Sequence, residues 1–384
     1  MPATYGFLST YPPTQCGLAT FNAALATHLT AGAGGSGVVR LLAGDDHGGL
    51  TIDKGAPRVV HTWPTDVPGG WVAAANALNR FDVVIVQHEY GIYPGDAGTE
   101  VLPLLRALKK PVIVVLHTVL SNPDPLQRSV LERIVAAADA VVTMTDTARQ
   151  RLAAMYRVDA AKISVIPHGA ASHTSAPRDR HDVPHLLTWG LLGPGKGIEW
   201  ALRALAELGD LAPLPTYTVA GRTHPKVLEQ HGDVYRDSLQ ELAAELGVAD
   251  RVRWADVYLD QAALSRLIRS ADVVVLPYDS TEQVTSGVLI EAVGAGVPVV
   301  ATEFPHAVEL LADGPGLLVP HQDPPAMADA IRRLVADDST SRLAGLTGGP
   351  TLRWPAVAAR YQALAARLLA GRAAATAPAA SVPA

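Results

Sequence analysis

Short apolar runs alternate with amphipathic stretches along almost the whole chain. Runs such as residues 82–87 (DVVIVQ) and 111–117 (PVIVVLH) contain four or more consecutive apolar residues, not apolar residues only at every second position. Strands of this kind are covered on both faces, as in parallel sheets with helical connections. The pattern predicts a doubly wound α/β domain with strands at residues 5–9, 38–43, 58–62, 82–87, 111–117, 140–145 and 163–167, and a helix at 20–30 capped by Thr20.

The alternation stops at residues 168–185 and then starts again. This segment is polar, contains two prolines and lacks periodicity, which is typical of a hinge. Further strands are predicted at 186–192, 216–220, 252–254, 273–276, 297–301 and 317–319, and an amphipathic helix at 354–369. We therefore predict two Rossmann-like doubly wound domains in tandem, with these bounds: a first domain at 1–170, a hinge at 171–185, a second domain at 186–350, a closing helix at 351–370 and a disordered tail at 371–384.

Composition narrows the class of protein. No apolar run reaches the ~18 residues of a membrane span, and the N-terminus has no basic region of the kind that begins a signal peptide. Cys16 is the single cysteine, which excludes an internal disulfide and a cysteine-based zinc cage. The net charge of −6 argues against a general nucleic-acid binder and against strong anchoring to an anionic membrane. We expect a cytoplasmic protein with at most peripheral membrane contact.

Residues 271–310 contain the clearest candidate binding site. A strand is followed by a polar loop, and a helix then begins at Thr285, Ser286 and Gly287. The start of a helix presents unpaired N–H groups, which bind anions. Glu282 and Gln283 precede this start, and Glu291 follows it. The pattern predicts a seat for the phosphates and sugars of a ligand.

Residues 190–197 (GLLGPGKG) form a second candidate site, because they join a predicted strand to a predicted helix. Gly190, Gly195 and Lys196 match the spacing of a phosphate-binding loop, but Gly197 stands where a magnesium-binding Ser or Thr is required. A lysine contact with phosphate therefore fits, and a nucleotide hydrolase does not. The alternative is a structural turn with a solvated lysine.

Other candidates lie at predicted strand ends, where open α/β sheets bind ligands. His88 and His117 each end an apolar run, and Gly17 lies in the loop after the first strand, where a glycine allows close backbone approach. Cys16 is interpreted as structural. No metal site is expected, because the polar loop and hinge residues are irregularly spaced: Asp45, Asp46, His47, His168, His173, His181 and His185.

Together these features resemble the retaining family-4 glycosyltransferases, which have the two-domain GT-B architecture with a central cleft. The family's Glu–seven residues–Glu signature falls on Gln283 and Glu291, and its conserved lysine falls on Lys196. Its histidine at a strand end falls on His117. The glycine-rich first loop falls on residues 15–17, and the crossover motif on 167–169 (PHG). The resemblance covers nearly the whole chain and implies that the last helix returns to the first domain.

Two positions depart from the family pattern. Leu191 stands where an arginine is usual, which removes a charge partner of the diphosphate. Gln283 replaces the first glutamate and keeps a hydrogen-bonding group without a carboxylate. Arg222, at the end of another predicted strand, is our hypothesis for a substitute cation.

The resemblance implies transfer of a hexose from a nucleotide-diphosphate sugar to a hydroxyl acceptor, with retained anomeric configuration and without a metal or other cofactor. Lys196 and the N–H groups of Ser286 and Gly287 would bind the diphosphate, and Glu291 the ribose. Gln283 would hold donor-sugar hydroxyls, and His117 would lie by the reacting sugar. The remaining expected contacts are Gly17, Thr285 and Tyr258 for the donor, and His88, Glu89 and Tyr90 for the acceptor.

The sequence leaves several alternatives open. The donor is of the GDP-mannose or UDP-glucose type, and the acceptor is a glycan, a lipid-linked sugar or a small molecule. A sugar-nucleotide epimerase or a phosphorylase on the same fold is a second possibility. A third is a catalytically silent protein that binds a sugar nucleotide, which the two departures favour.

Overall fold

The computed structural model describes residues 2–31, 35–42, 55–171, 182–312, 314–336 and 350–376. Within them the chain divides into two units. The first unit combines the chain up to Pro167 with the chain from Trp354 onward, and the second unit is His168–Arg353. Most of the predicted hinge (172–181), the end of the predicted second domain (337–349) and residues 377–384 of the predicted tail lie outside the described residues.

The first unit contains a parallel sheet that runs in the order β3-β2-β1-β4-β5-β6-β7. Its strands are β1 Tyr5–Ser9, β2 Gly37–Leu42, β3 Arg58–Pro64, β4 Val83–His88, β5 Val112–Leu116, β6 Ala140–Thr143 and β7 Ile163–Val165. Its first helices are α1 Gly17–Leu29, α2 Trp71–Leu78, α3 Val101–Ala107, α4 Pro125–Ala137 and α5 Asp146–Met155. The central strands β1, β4, β5 and β6 are buried at every position, as their apolar runs predict.

Helix starts in the first unit follow their capping residues. Asp124 caps α4 and forms a capping box with Gln127. In α1 the cap is Cys16, whose sulfur accepts the N–H of Ala19 at 3.4 Å. The prediction that Thr20 caps this helix is wrong, because Thr20 lies inside the first turn and its hydroxyl donates to the Cys16 carbonyl oxygen.

The second unit contains a parallel sheet in the order β10-β9-β8-β11-β12-β13. Its strands are β8 His185–Trp189, β9 Thr216–Ala220, β10 Val252–Ala255, β11 Val273–Leu276, β12 Val299–Thr302 and β13 Gly316–Val319. Its helices are α6 Ile198–Glu207, α7 Pro225–His231, α8 Val234–Glu245, α9 Gln261–Ser270, α10 Gly287–Gly294, α11 Pro305–Leu311 and α12 Pro324–Ala336. Short 3₁₀ turns lie at Asp96–Gly98, Ala160–Lys162, Ala249–Arg251 and Pro350–Leu352.

Successive residues of the second sheet enter different cores. Val273 and Val275 pack with α6, α8 and α12. Val274 and Leu276 pack with α10 and α11. Because side chains alternate along a strand, an all-apolar run of this kind supplies both cores at once. The two parallel α/β sheets confirm the predicted fold class.

The last helix, α13 (Trp354–Thr376), belongs to the first unit. Trp354 and Tyr361 are buried in the same core as Phe21 and Leu25 of α1. This packing confirms that the last helix returns to the first domain. The helix continues to Thr376, beyond the predicted end at residue 370, so that the predicted tail is helical over its first residues.

Candidate functional site

The candidate site in the second unit lies where the strand order reverses. β8 and β11 are neighbours in the sheet, with Val273 paired to Leu186, but they are far apart in the sequence. Their helical connections leave on opposite sides, which opens a crevice at the carboxyl ends of the two strands. Two loops begin there, the lysine loop (residues 190–197) after β8 and the serine loop (residues 277–286) after β11.

The lysine loop is held against the serine loop through its glycines. Gly195 and Gly197 have φ values of 85° and 63°, a region that side chains other than glycine rarely adopt. The Gly195 carbonyl oxygen accepts the N–H of Asp279 at 3.0 Å. A Cβ atom on Gly197 would overlap the Pro277 carbonyl oxygen. The backbone therefore needs a glycine at position 197 to bring the two loops together.

Lys196 extends from this contact over an aromatic ring. Its Nζ atom lies 4.4 Å from the centroid of Tyr278, which is buried. The Tyr278 carbonyl oxygen accepts the Thr302 hydroxyl at 2.6 Å and the His321 Nδ1–H at 2.8 Å, so that the backbone is held at this residue. Lys196 forms no ion pair with a carboxylate among the described residues. Its charge is therefore available to an anion.

Helix α10 begins as predicted, but only part of its first turn is open. The Ser286 hydroxyl accepts the N–H of Leu289 and caps the helix. The Ser286 N–H donates to the Nδ1 atom of buried His306 at 2.8 Å. The expectation that this N–H binds diphosphate therefore needs correction, because it is already paired. Within the described part of the chain, the N–H of Gly287 has no hydrogen-bond partner.

Gln283 is tied into the serine loop. Its side-chain Nε2 donates to the Thr285 carbonyl oxygen at 2.5 Å, and its own carbonyl oxygen accepts the His306 N–H at 3.2 Å. The amide oxygen of the side chain remains as the group that could accept a ligand hydroxyl. The hydroxyl oxygen of Thr285 is buried and has no partner among the described residues.

Glu291 and His168 meet at the same helix. The Glu291 carboxylate accepts the N–H of Ala171 at 3.2 Å. His168 donates from Nδ1 to the Gly169 carbonyl oxygen at 2.7 Å, and its Nε2 lies 3.0 Å from where a Cβ on Gly287 would be. Burial lowers the pKa of His168, and nearby Glu291 partly opposes this. The backbone N–H of Glu282 donates to the Ser280 hydroxyl oxygen at 3.3 Å.

Arg222 and Tyr258 lie at the ends of the neighbouring strands β9 and β10. Arg222 is exposed, and its carbonyl oxygen accepts the Leu192 N–H at 2.8 Å. Its role as a substitute cation stays a prediction. Sequence reasoning missed Arg236, which is buried and binds the Gly221 carbonyl oxygen and the Asp256 carboxylate. No sequence signal separates it from the other arginines of a surface helix.

His117 of the first unit is oriented by a buried polar chain. Its Nε2 lies 2.9 Å from the Gln87 side-chain oxygen, and the Gln87 amide donates to Asn22 at 3.3 Å. The ring of Phe21 meets the imidazole edge-on at 4.8 Å. Asn22 and Gln87 were not predicted as site residues, although Gln87 is the polar residue next to His88 in an otherwise apolar strand.

The predicted acceptor residues do not share one environment. His88 is fully buried between Tyr90 and Tyr93, and its two ring nitrogens have no partner among the described residues. Burial lowers the pKa of His88 to about 4. His88 is therefore a core residue that a ligand cannot reach, and Tyr90 is almost as buried. Glu89 accepts the Thr118 hydroxyl at 2.5 Å and remains partly exposed.

The loop after β1 supplies the remaining predicted contact. Gly17 is exposed and begins α1, and a Cβ atom there would meet no other atom within 4 Å. The structure therefore does not require a glycine at this position. Cys16 contacts the Thr10 hydroxyl at 3.3 Å and caps the helix, which agrees with its structural interpretation.

Two further features bear on the choice of ligand. A cavity of about 470 Å³ lies beside Gly195, but Glu199, Glu241 and Glu245 line it, so that its charge repels phosphate.

The described residues contain no group of three or more His, Cys, Asp and Glu side chains that could hold a metal ion. Asp45, Asp46, His47, His173 and His181 lie outside them. None of the described helices is long and apolar enough to cross a membrane.

Two family models match the chain. The model described as "Glycosyltransferase Family 4" matches residues 17–172. The model described as "Glycosyl transferases group 1" matches residues 183–337. Each match contains one of the two sites described above, with His117 in the first and Lys196 in the second.

Curated relatives carry one recurring name. A protein from Stackebrandtia nassauensis named "D-inositol 3-phosphate glycosyltransferase" is 32% identical over 231 residues, which cover 56% of this chain and 51% of that protein. A protein of the same name from Nocardioides sp. is 32% identical over 241 residues, which cover 57% and 51%. The chain therefore spans about half the length of the curated relatives it matches.

Solved structures share the fold. A glycosyltransferase from Rickettsia africae ESF-5 has a TM-score of 0.75 at 16% identity, covering 95% of this chain and 99% of that one. Anabaena Alr3699/HepE, solved in complex with UDP-glucose, has a TM-score of 0.68 at 17% identity, covering 97% and 100%. Because the two matched models together extend over most of the chain and both sheets have the expected topology, the chain belongs to the family-4 glycosyltransferases, which have the GT-B architecture.

Proposed function

We propose that this chain transfers a hexose from a nucleotide-diphosphate sugar to a hydroxyl acceptor, and that the anomeric configuration is retained. The bond between the anomeric carbon and the diphosphate breaks, and a bond to the acceptor oxygen forms. The acceptor proton leaves to the released diphosphate. The family supports retention and a reaction without a metal, and a cytoplasmic setting is part of the same proposal.

The observation that carries this proposal is that a lysine without a carboxylate partner and a helix start with an unpaired N–H lie at the same edge of the second sheet. Lys196 has no carboxylate partner in the described parts of the chain, and the Gly287 N–H is unpaired there. Lys196 lies on the loop that leaves the carboxyl end of β8, Gly287 begins the helix that follows the loop after β11, and the two loops are in contact. Negative charge grows on the diphosphate as it departs. A fixed ammonium and a helix N-terminus stabilise that charge without reorganisation.

The other residues of the second unit fit the sugar and nucleoside parts of the donor. Glu291 keeps carboxylate lone pairs beyond its bond to Ala171, and we assign it to the ribose hydroxyls. Gln283 is assigned to a donor-sugar hydroxyl through its side-chain oxygen. Tyr258, after β10, is assigned to the nucleobase. We assign residues 186–350 to the donor and residues 1–170 to the acceptor.

In the first unit, His117 is assigned to contact the reacting sugar. It is the predicted histidine that remains partly exposed, whereas His88 is buried. Gln87 fixes its ring orientation from behind. Among the predicted acceptor residues, Glu89 is partly exposed, and its carboxylate, which accepts the Thr118 hydroxyl and the Tyr90 N–H, could accept a further hydroxyl group.

The names of the relatives suggest candidate donors and acceptors. The curated relatives are named for an inositol phosphate, and the Anabaena protein was solved with UDP-glucose. We therefore propose that the donor is a UDP-hexose or a GDP-hexose. The acceptor is then a phosphorylated polyol, a glycan or a lipid-linked sugar. A thermal-shift panel of UDP-, GDP- and ADP-sugars identifies the donor, because a ligand at 100 times its Kd stabilises the fold by about 2.7 kcal/mol.

Nucleoside diphosphate release then tests transfer itself. We expect release that depends on an acceptor and forms an α-linked product from an α-linked donor. A chain that binds a donor and releases no diphosphate with any acceptor contradicts the proposal. That result would support the third possibility, a catalytically silent binding protein, which Leu191 and the internally bonded Gln283 amide favour. Turnover of the donor alone would instead indicate an epimerase, and sugar release to inorganic phosphate a phosphorylase.

The two glutamates near α10 give a direct test of the assignment. We expect Glu291→Gln to weaken donor binding by about 10-fold or more, because the ribose loses a charge-assisted hydrogen bond. Glu282→Gln should change the Kd by less than about 3-fold, since no donor contact is assigned to its carboxylate. Calorimetric titration with the donor identified above measures both. The reverse ranking would contradict the alignment of the family signature with Gln283 and Glu291.

A further inference from the structure

His306, on α11, is bonded to both ends of the turn that precedes α10. Its Nδ1 accepts the Ser286 N–H at 2.8 Å, and its backbone N–H donates to the Gln283 carbonyl oxygen at 3.2 Å. The side chain is only 3% exposed. One residue from a separate helix therefore holds the turn from Gln283 to Ser286 at its first and last members.

The bond from Ser286 determines the protonation of His306. A backbone N–H can only donate, so that Nδ1 must carry a lone pair and the ring proton must be on Nε2. A protonated Nδ1 would place two donors against each other. Burial, and then the neighbouring His168, lower the pKa of His306 to about 3. The imidazole is therefore neutral near pH 7.

The rest of the turn depends on this neutral acceptor. The Gln283 side chain bonds to the Thr285 carbonyl oxygen, and the Ser286 hydroxyl bonds to the Leu289 N–H. Without the acceptor on His306, the Ser286 N–H would be buried without a partner, which is costly. The turn would then rearrange to pair it, and the Gly287 N–H and the Gln283 side chain would move with it.

We propose that His306 is a positioning residue for the donor site: its neutral imidazole fixes the turn 283–286 in the shape that presents Gly287 to the diphosphate. This inference rests on the proposed function of the same site. His306 is not assigned a contact with the ligand. It acts by accepting the N–H of Ser286, which would otherwise need another partner and would draw the turn out of this shape.

The test compares two replacements of His306. Asparagine can place its Oδ1 where Nδ1 lies and accept the Ser286 N–H, whereas leucine fills the space without an acceptor. We expect His306→Leu to raise the Kd for UDP or GDP by about 10-fold or more and to raise KM for the donor more than it lowers kcat. His306→Asn should stay within about 3-fold of wild type. His231→Leu, at the exposed end of α7, is the matched control and should change neither value.

A role in packing alone predicts the opposite order, with leucine tolerated and asparagine harmful, and that order overturns the proposal. Should the leucine variant fail to fold, ¹⁵N NMR of the wild-type imidazole still decides: a protonated Nδ1 overturns the proposal, and an unprotonated Nδ1 between about pH 5 and 8 supports it. Wild-type protein that binds neither UDP nor GDP contradicts the proposed function instead. Slow exchange of the Ser286 amide, lost in His306→Leu, then shows independently whether His306 fixes the turn.

Discussion

Lys196→Ala is expected to reduce donor affinity and transfer by roughly 10- to 150-fold, the loss of a charge-assisted phosphate contact of about 1.5–3 kcal/mol. The ammonium lies over Tyr278 and forms no ion pair with the carboxylates that the structure describes, so that a bound diphosphate would be its main partner. Charge accumulates on the leaving diphosphate in the transition state. We therefore expect kcat to fall as well as affinity.

Lys226→Ala provides the matched control for Lys196→Ala. Lys226 is an exposed cation at the start of α7 in the same unit. Its removal lowers the positive charge of the unit by the same amount but should leave the Kd within about 2-fold, because exposed charges are screened. Calorimetric titration and initial rates measure both variants. Equal effects would mean that Lys196 contributes only general charge, and no effect from either would remove Lys196 from the site.

Gly197→Ala is expected to destabilise the second unit strongly. The new Cβ would overlap the Pro277 carbonyl oxygen, and the residue would keep a φ of 63°. Overpacking and the left-handed conformation together cost about 2–5 kcal/mol. Because the clash is with backbone, a side-chain rotation cannot relieve it. The lysine loop and the serine loop must separate, so that donor binding should also be lost.

Gly195→Ala separates the two contributions to this cost. Gly195 has a φ of 85°, but no atom lies within 4 Å of its Cβ position. We expect a loss of only about 1–2 kcal/mol from the backbone conformation. Hydrogen exchange of the β8 and β11 amides measures the stability of this unit in both variants. A Gly197→Ala variant no less stable than Gly195→Ala would contradict the described contact between the loops.

The strands and the place of the candidate site in the fold could be predicted because each depends on short stretches of sequence. Valine-rich runs identify buried parallel strands, and the order of strand, loop and helix places Lys196 and Ser286 at one edge of the second sheet. The start of α10 at Gly287 was predictable for the same reason. The serine that caps it is one of the residues that favour this position.

Contacts between distant elements could not be predicted in this way. His306 follows Ser286 on a different helix, and nothing in its own segment distinguishes an acceptor of a backbone N–H from a core histidine. His88 was misplaced because β4 continues to His88 and turns that ring into the core, whereas Gln87 faces His117. Cys16 was overlooked as a helix cap because sulfur is a weak hydrogen-bond acceptor.

The return of α13 to the first unit has a consequence for folding during synthesis. Its residues Trp354 and Tyr361 complete the core around Phe21, yet the ribosome adds them after the entire second unit. The second unit is continuous in sequence and can therefore fold while the chain is still growing. The first unit, although it is synthesised first, keeps the apolar face of α1 exposed until translation has passed Tyr361. It is therefore the unit whose apolar core surface stays exposed longer while the chain is being made.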